Sequence, residues 1–345
     1  MNKAKNASLV RVNARRSVPA DFLLVIGMLS VMGLAAQSQG APTNTVIANI
    51  AVGNNPNGVV VSPDSSTVYV ANYLSNTVSV IDAQTNTVTN SISVGTAPYG
   101  LAISSDGSTL YVSQSTSPGA VTVIDLANGD SIQTITGIGP YPLGIDLSPD
   151  ETQLWVAAGN IFRIDTANNQ VLGSVTVPGG CSSLEFTPDG SKVYSSGNAG
   201  NSTVITVVST ATASVTKTIP VSSSKTSEPA SFAMRGQKAY ALVRTGFNTV
   251  TGLLLVINTA TDSVIKKIHL STAGGGTALL PHAPYLYLPV FVPSAVTLFD
   301  TKTKTLIGHG VTCASGAFDV AIAPNGTRAY VTDELANSVT VIQIQ

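Results

Sequence analysis

From Ala41 onward, apolar and polar residues alternate in short runs separated by turn residues, and the runs recur in sets of four. The clearest set lies between Gly58 and Gly95. Gly58-Val59-Val60-Val61 is an apolar run suited to an innermost strand, and Ser62-Pro63-Asp64 is turn chemistry. Thr67 to Ala71 reads as a second strand, Asn72 to Asn76 as a polar loop, and Thr77 to Ile81 as a half-buried third strand. Asp82 to Asn86 turns the chain into an outermost strand over Thr87 to Val94. Valine, isoleucine, threonine and tyrosine dominate these runs, and no window beyond the first forty residues carries a helical period. The set recurs about every 43 residues. It is marked by an aromatic (Tyr69, Tyr111, Trp155, Tyr194, Tyr240, Tyr287, Tyr330) and then by Asp82, Asp125, Asp165, Ser209, Asn258, Asp300 and Gln343. Four short strands per repeat at this period predict an all-β chain folded as a seven-bladed β-propeller of four-stranded blades.

The chain ends complete each other. The last repeat stops after its third strand, at Val339-Thr340-Val341-Ile342. The segment from Asn44 to Gly53 reads like the outermost strand from Asn86 to Gly95. The N-terminal strand is therefore expected to close the last blade and to remove the exposed edges at the join.

The runs Val68-Tyr69-Val70-Ala71-Asn72 and Asn76-Thr77-Val78-Ser79-Val80-Ile81-Asp82, followed by Thr85-Asn86-Thr87-Val88, resemble the YVTN-repeat β-propeller family. The resemblance spans residues 41–345 and is specific in the first two blades and the last. Blades five and six keep only the aromatic, and Pro289 removes a backbone donor there, which points to an edge or a bulge. The resemblance implies a cell-envelope or surface-layer setting in bacteria or archaea and no single reaction.

Residues 1–40 read as a secretory signal peptide, with residues 41–345 as the propeller. Lys3, Lys5, Arg11, Arg15 and Arg16 precede the apolar stretch Phe22 to Ala36, and Ser38-Gln39-Gly40 precedes Ala41. The stretch is shorter than the roughly 20 residues of a spanning helix, so no transmembrane span is expected in the mature chain. The expected location is periplasmic or extracellular, at the cell surface, with the export route open.

Without the leader, Lys plus Arg falls from 17 to 12 and Asp plus Glu from 18 to 17, which moves the net charge from −1 to −5. Between Ala41 and Phe162 there is no Lys or Arg against eight acidic residues, whereas Lys217 to Lys304 holds nine basic and three acidic ones. The ring then has an acidic and a basic side, a dipole that would favour self-association. Alternatively these are turn residues on a surface rich in Ser, Thr and Asn.

Chemical signatures are sparse. His269, His282 and His309 fall on outermost strands or a turn and form no cluster, so no metal site is expected. Gly274-Gly275-Gly276 lacks the helix that phosphate capture needs, and neither a Gly-x-Ser-x-Gly elbow nor a haem-attachment motif occurs. No cofactor is expected. Cys181 and Cys313 belong on one face in blades four and seven, where a bridge would need Cα atoms within about 7 Å. The Asp residues repeated at 64, 106, 150 and 189 read as turn acceptors rather than calcium ligands.

What varies between blades gathers at the channel mouth. Asn57, Tyr99, Leu143 and Phe318 precede innermost strands, and Asn72, Tyr73, Arg244, Phe247, Asp333 and Glu334 lie between second and third strands, with Tyr141 close by. From this set Tyr73, Tyr99, Tyr141, Arg244, Phe318, Asp333 and Glu334 are the candidate ligand-binding residues, and no catalytic residue is assigned. The expected function is a binding or scaffolding module of the envelope whose partner is a protein, a polymer or a small ligand. Two other classes stay open. A lactonase-type hydrolase would use Arg244, Asp333 and Glu334, and single-stranded nucleic acid would stack on Tyr73, Tyr99 and Phe318. The charge of −5 speaks against nucleic acid.

Overall fold

The computed structural model describes residues 40–199, 202–222, 227–245, 251–270 and 273–345. The predicted leader falls almost wholly outside these residues, as does Phe247. Seven antiparallel four-stranded sheets follow one another around a ring. Blade one is Pro56–Val61, Thr67–Asn72, Thr77–Asp82 and Thr87–Ser93, within a residue or two of the limits expected from its pattern. Among the described residues the one helical turn is Leu126–Asn128, and no helix is long and apolar enough to cross a membrane.

Strand Asn44–Ala51 closes the ring. It pairs antiparallel with Ser338–Ile344, placing Asn44 opposite Ile344 and Ala51 opposite Ser338, and so completes the blade of Ala317–Ile322 and Arg328–Asp333. It also reaches blade six, where the Tyr287 hydroxyl donates to Asn44 Oδ1 at 2.7 Å.

The core lies between blade faces, because each blade is apolar on both sides. Trp155, Tyr194, Tyr240, Tyr287 and Tyr330, all repeat aromatics, are fully buried. Three of them meet a ring of the next blade: Trp155 with Phe186, Tyr194 with Phe232, and Tyr240 with Phe299. Every third-to-fourth strand pairing slips register at least once, at places such as Val80/Ile81, Arg163/Ile164 and Val256/Ile257, and in the closing blade at Val46/Ala48. Such bulges twist the outermost strand and blunt its open edge. Pro289 sits where the innermost strand of blade six, Ala278–Leu279, has already ended; its carbonyl takes the Gly274 N–H at 2.7 Å, and the missing donor costs no ladder bond.

The repeated aspartates act on the backbone. Asp64 accepts from the Ser62 hydroxyl at 2.5 Å and from the Ser66 N–H at 3.0 Å. Asp106, Asp150 and Asp189 repeat this with the hydroxyl two residues before and the N–H two residues after. Asp82 and Asp300 likewise take the next N–H groups in their own turns. These bonds hold Asp64 and Asp106 below the ordinary carboxylate value, and in Asp150 and Asp189 they outweigh desolvation to the same effect. Because the folded pKa lies below the unfolded one, this stabilisation is full above about pH 4 and is lost as the pH falls through the folded values. The melting temperature should therefore drop steeply below pH 4, and Asp106→Asn should flatten that slope in a scan of Tm against pH.

Several basic side chains, two of them from the basic side of the ring, are spent between blades. Lys192 pairs with Asp262 at 2.8 Å and reaches the Thr259 carbonyl, and Lys217 donates to the Thr261 carbonyl at 3.0 Å. Arg235 donates to the carbonyls of Leu280 and Ala283, and Arg328 to that of Ala83. Asp146, one of the eight acidic residues of the first blades, is no surface charge. It lies buried in strand Ile145–Leu147 and accepts from the Phe186 N–H at 3.0 Å.

Candidate functional site: the channel mouth

Two repeat positions build the mouth. The residue four past each repeat aromatic stands where the second strand reaches this face: Tyr73, Ser115, Gly159, Asn198, Arg244, Phe291 and Glu334 in blades one to seven. The residue leading into the innermost strand supplies Asn57, Tyr99, Leu143 and Ser182 in blades one to four, then Gly275 and Phe318 in six and seven. Large side chains thus gather on blades five, six, seven, one and two. Blade three offers Gly159 and the half-buried Leu143, and blade four Asn198 and Ser182, so that sector of the rim has no aromatic or charged side chain at these positions.

The large side chains form one continuous run. Tyr73 and Tyr99 meet edge to face with ring centroids 6.4 Å apart, and Tyr99 meets Phe318 in the same way at 6.4 Å. The Arg244 guanidinium carbon then lies 6.0 Å from the Phe318 ring centre and 5.9 Å from that of Phe291, a cation set between two aromatic faces. Phe318 is braced from behind. The N–H groups of Gly275 and Gly276 donate to its carbonyl at 2.7 and 3.0 Å. A Cβ at Gly275 would strike the Phe318 ring, and one at Gly276 would overlap the Asp319 carboxylate. The triple glycine therefore allows one connection to lie directly on the next blade.

Of the seven sequence candidates, Tyr73, Tyr99, Phe318 and Arg244 come together in this run. Tyr141 stands apart, exposed on the connection between blades two and three. Glu334 accepts from Asn55 Nδ2 at 2.9 Å, which ties it to the connection leading into blade one. Asp333 is fully buried and points at its own third strand: Oδ2 accepts from Thr340 at 2.7 Å and Ser338 at 3.2 Å, while Oδ1 has no partner. Burial pushes its pKa up to about 6. Phe291 is not among those candidates; its spacing of four from Tyr287, the same as that of Tyr73 from Tyr69, is the signal that marks it.

The cysteines are separate free thiols. Cys181 occupies the repeat position of Pro98 and Cys313 that of Val94, both apolar slots on mouth-face connections. Burial pushes each thiol up to about 12, as suits unreactive packing residues. On the opposite face a cleft of about 510 Å³ between blades four and five is lined by Pro188, Lys192, Gly236 and Gln237, and the Lys192–Asp262 pair already occupies its cation.

The chain superposes on a solved structure of hydrazine synthase from Kuenenia stuttgartiensis with a TM-score of 0.76 and 24% identity, covering 84% of this chain and 95% of that one. At that identity the likeness is one of fold. No protein-family model and no curated protein matches the sequence.

Proposed function

We propose that this chain is an exported propeller of the YVTN-repeat kind that serves the cell envelope as a binding or scaffolding module, with its site at the channel mouth. The observation that carries this reading is the unbroken run Tyr73–Tyr99–Phe318–Arg244–Phe291 along one side of the channel mouth. A cation between aromatic faces, beside a rank of rings, suits a ligand with a flat apolar face and an acceptor group. The basic and apolar leader supports export.

Native mass spectrometry of the mature protein taken gently from its own envelope fraction tests this. A reproducible extra mass is expected on the wild type and should be lost in Tyr99→Ala and in Arg244→Ala, with Tm little changed. A bare chain would count against a small-molecule site and leave the outer surfaces. Turnover of simple lactones that disappears in Arg244→Ala would instead favour a hydrolase.

A further inference from the structure

The residue after each rim position stands at the tip of its loop, and in three successive blades it is aliphatic: Val292 in blade six, Leu335 in seven and Leu74 in one. These side chains are 58, 62 and 66% exposed, and with Tyr141 at 61% they are the most exposed large apolar side chains among the described residues. The remaining exposed apolar residues, such as Ile132 and Leu172, lie on outermost strands and are each less than half exposed.

Repeat-equivalent atoms of a ring lie at one height along its axis, so the three tips define a plane. A plane of aliphatic tips fits a flat occupant better than a threaded segment. Charge points the same way. Among the described residues the rim positions of the mouth face carry Arg244 and Glu334, of opposite sign, with Glu334 already bonded to Asn55, and the loop tips beyond them carry no charge. The turns of the opposite face carry Asp64, Asp106, Asp150, Glu151, Lys302 and Lys304, among others. A flat, apolar partner without net charge is the complement of such a face.

We propose that the mouth face docks on a lipid bilayer surface of no net charge, with the tips of Val292, Leu335 and Leu74 entering the acyl boundary and Tyr73 and Tyr141 at the headgroups. This rests on the reading of the mouth as the binding face and names its partner. Insertion of a few aliphatic tips gives reversible binding that scales with the apolar area buried, and a face on which Arg244 and Glu334 offset each other gains little from anionic lipid.

The test is cosedimentation of the mature protein with phosphatidylcholine vesicles, with and without phosphatidylglycerol. Equal partitioning into both, unmoved by salt, is expected. The triple variant Leu74→Ser/Val292→Ser/Leu335→Ser should lose at least about tenfold in partitioning, since each substitution removes the apolar area that insertion would bury. Its thermal transition should be unchanged because the three side chains are largely outside the core. Leu172→Ser, on an outermost strand, should leave partitioning intact. No partitioning, a requirement for phosphatidylglycerol, or an unaffected triple variant overturns the proposal. So does lipid-free self-association that the triple variant abolishes, which would make a second copy the occupant. A vesicle-negative protein that still carries a mass lost in Tyr99→Ala would sink the docking alone and leave the mouth as a binding site.

Discussion

A chain shortened to begin at Asn54 is expected to lose its cooperative thermal transition. The deleted strand Asn44–Ala51 is the fourth strand of blade seven, and without it the whole outer edge of Ser338–Ile344 stands unpaired. More than one sheet bond goes with it. Val52 N–H donates to the Asn337 carbonyl, the Thr340 hydroxyl bonds Asn49 Oδ1 at 2.9 Å, and Tyr287 of blade six loses Asn44. The apolar core is continuous across the join, running from Tyr287 through Val320 and Val341 to Val59 and Leu101, so opening it wets several blade interfaces together. A propeller has no terminal repeat with a polar outer face to cap an open ring. The loss is on the order of the whole stability of a domain, about 5–15 kcal/mol. Circular dichroism melts would show a broad, early transition, and limited proteolysis would cut first in residues 317–345. A synthetic peptide of residues 41–53 should restore the transition in trans. A melt indistinguishable from that of the intact chain would disprove the closure as the source of stability.

The sequence makes this architecture legible because blade packing and turn chemistry both repeat. The aromatic of the second strand must fill the same interface in each blade, and Asp64, Asp106, Asp150 and Asp189 must each cap the same turn. Periodicity therefore reads out the fold, the strand order and even the closing strand. What the pattern conceals is whatever serves one blade against its neighbour. Asp146 looks like another acidic residue of a polar surface, yet it is sealed between innermost strands on the Phe186 N–H. Arg235 and Arg328 look like surface charge and are clasps on the next blade's carbonyls. The register slips that shield the outermost strands leave no trace in composition, since Ile81, Ile164 and Ile257 keep the ordinary alternation. At the mouth the blade-to-blade variation marks the right face, and Tyr73, Tyr99, Arg244 and Phe318 do converge. Asp333 ends its strand one residue short of the rim position, and that single step turns its side chain into the blade.

That inward turn has a measurable consequence: Asp333→Asn should stabilise the protein at neutral and alkaline pH. The carboxyl is sealed against the third strand, with two hydroxyl donors on Oδ2 and none on Oδ1. Desolvation outweighs those donors and raises its pKa to about 6. The unfolded chain holds an ordinary aspartate near 3.9, so the folded state prefers the protonated form. The group therefore favours folding fully below about pH 4, and this contribution is lost as the pH rises through 6. Ionised, it costs at most about 3 kcal/mol, the shift of roughly two units converted. A proton count points to the same state. The single Thr340 hydroxyl hydrogen faces both Asp333 Oδ2 at 2.7 Å and Asn49 Oδ1 at 2.9 Å and can serve only one. A protonated Asp333 donates to Thr340 and frees that hydrogen for Asn49 of the closing strand. An asparagine amide makes the same donation at every pH. Urea unfolding of wild type and Asp333→Asn should thus agree near pH 4 and separate above pH 6, the variant being more stable by about 2 kcal/mol at pH 8. Equal stabilities at pH 8, or a variant weaker at every pH, would mean that the carboxylate is satisfied in its ionised form and that the closing strand is held without the proton.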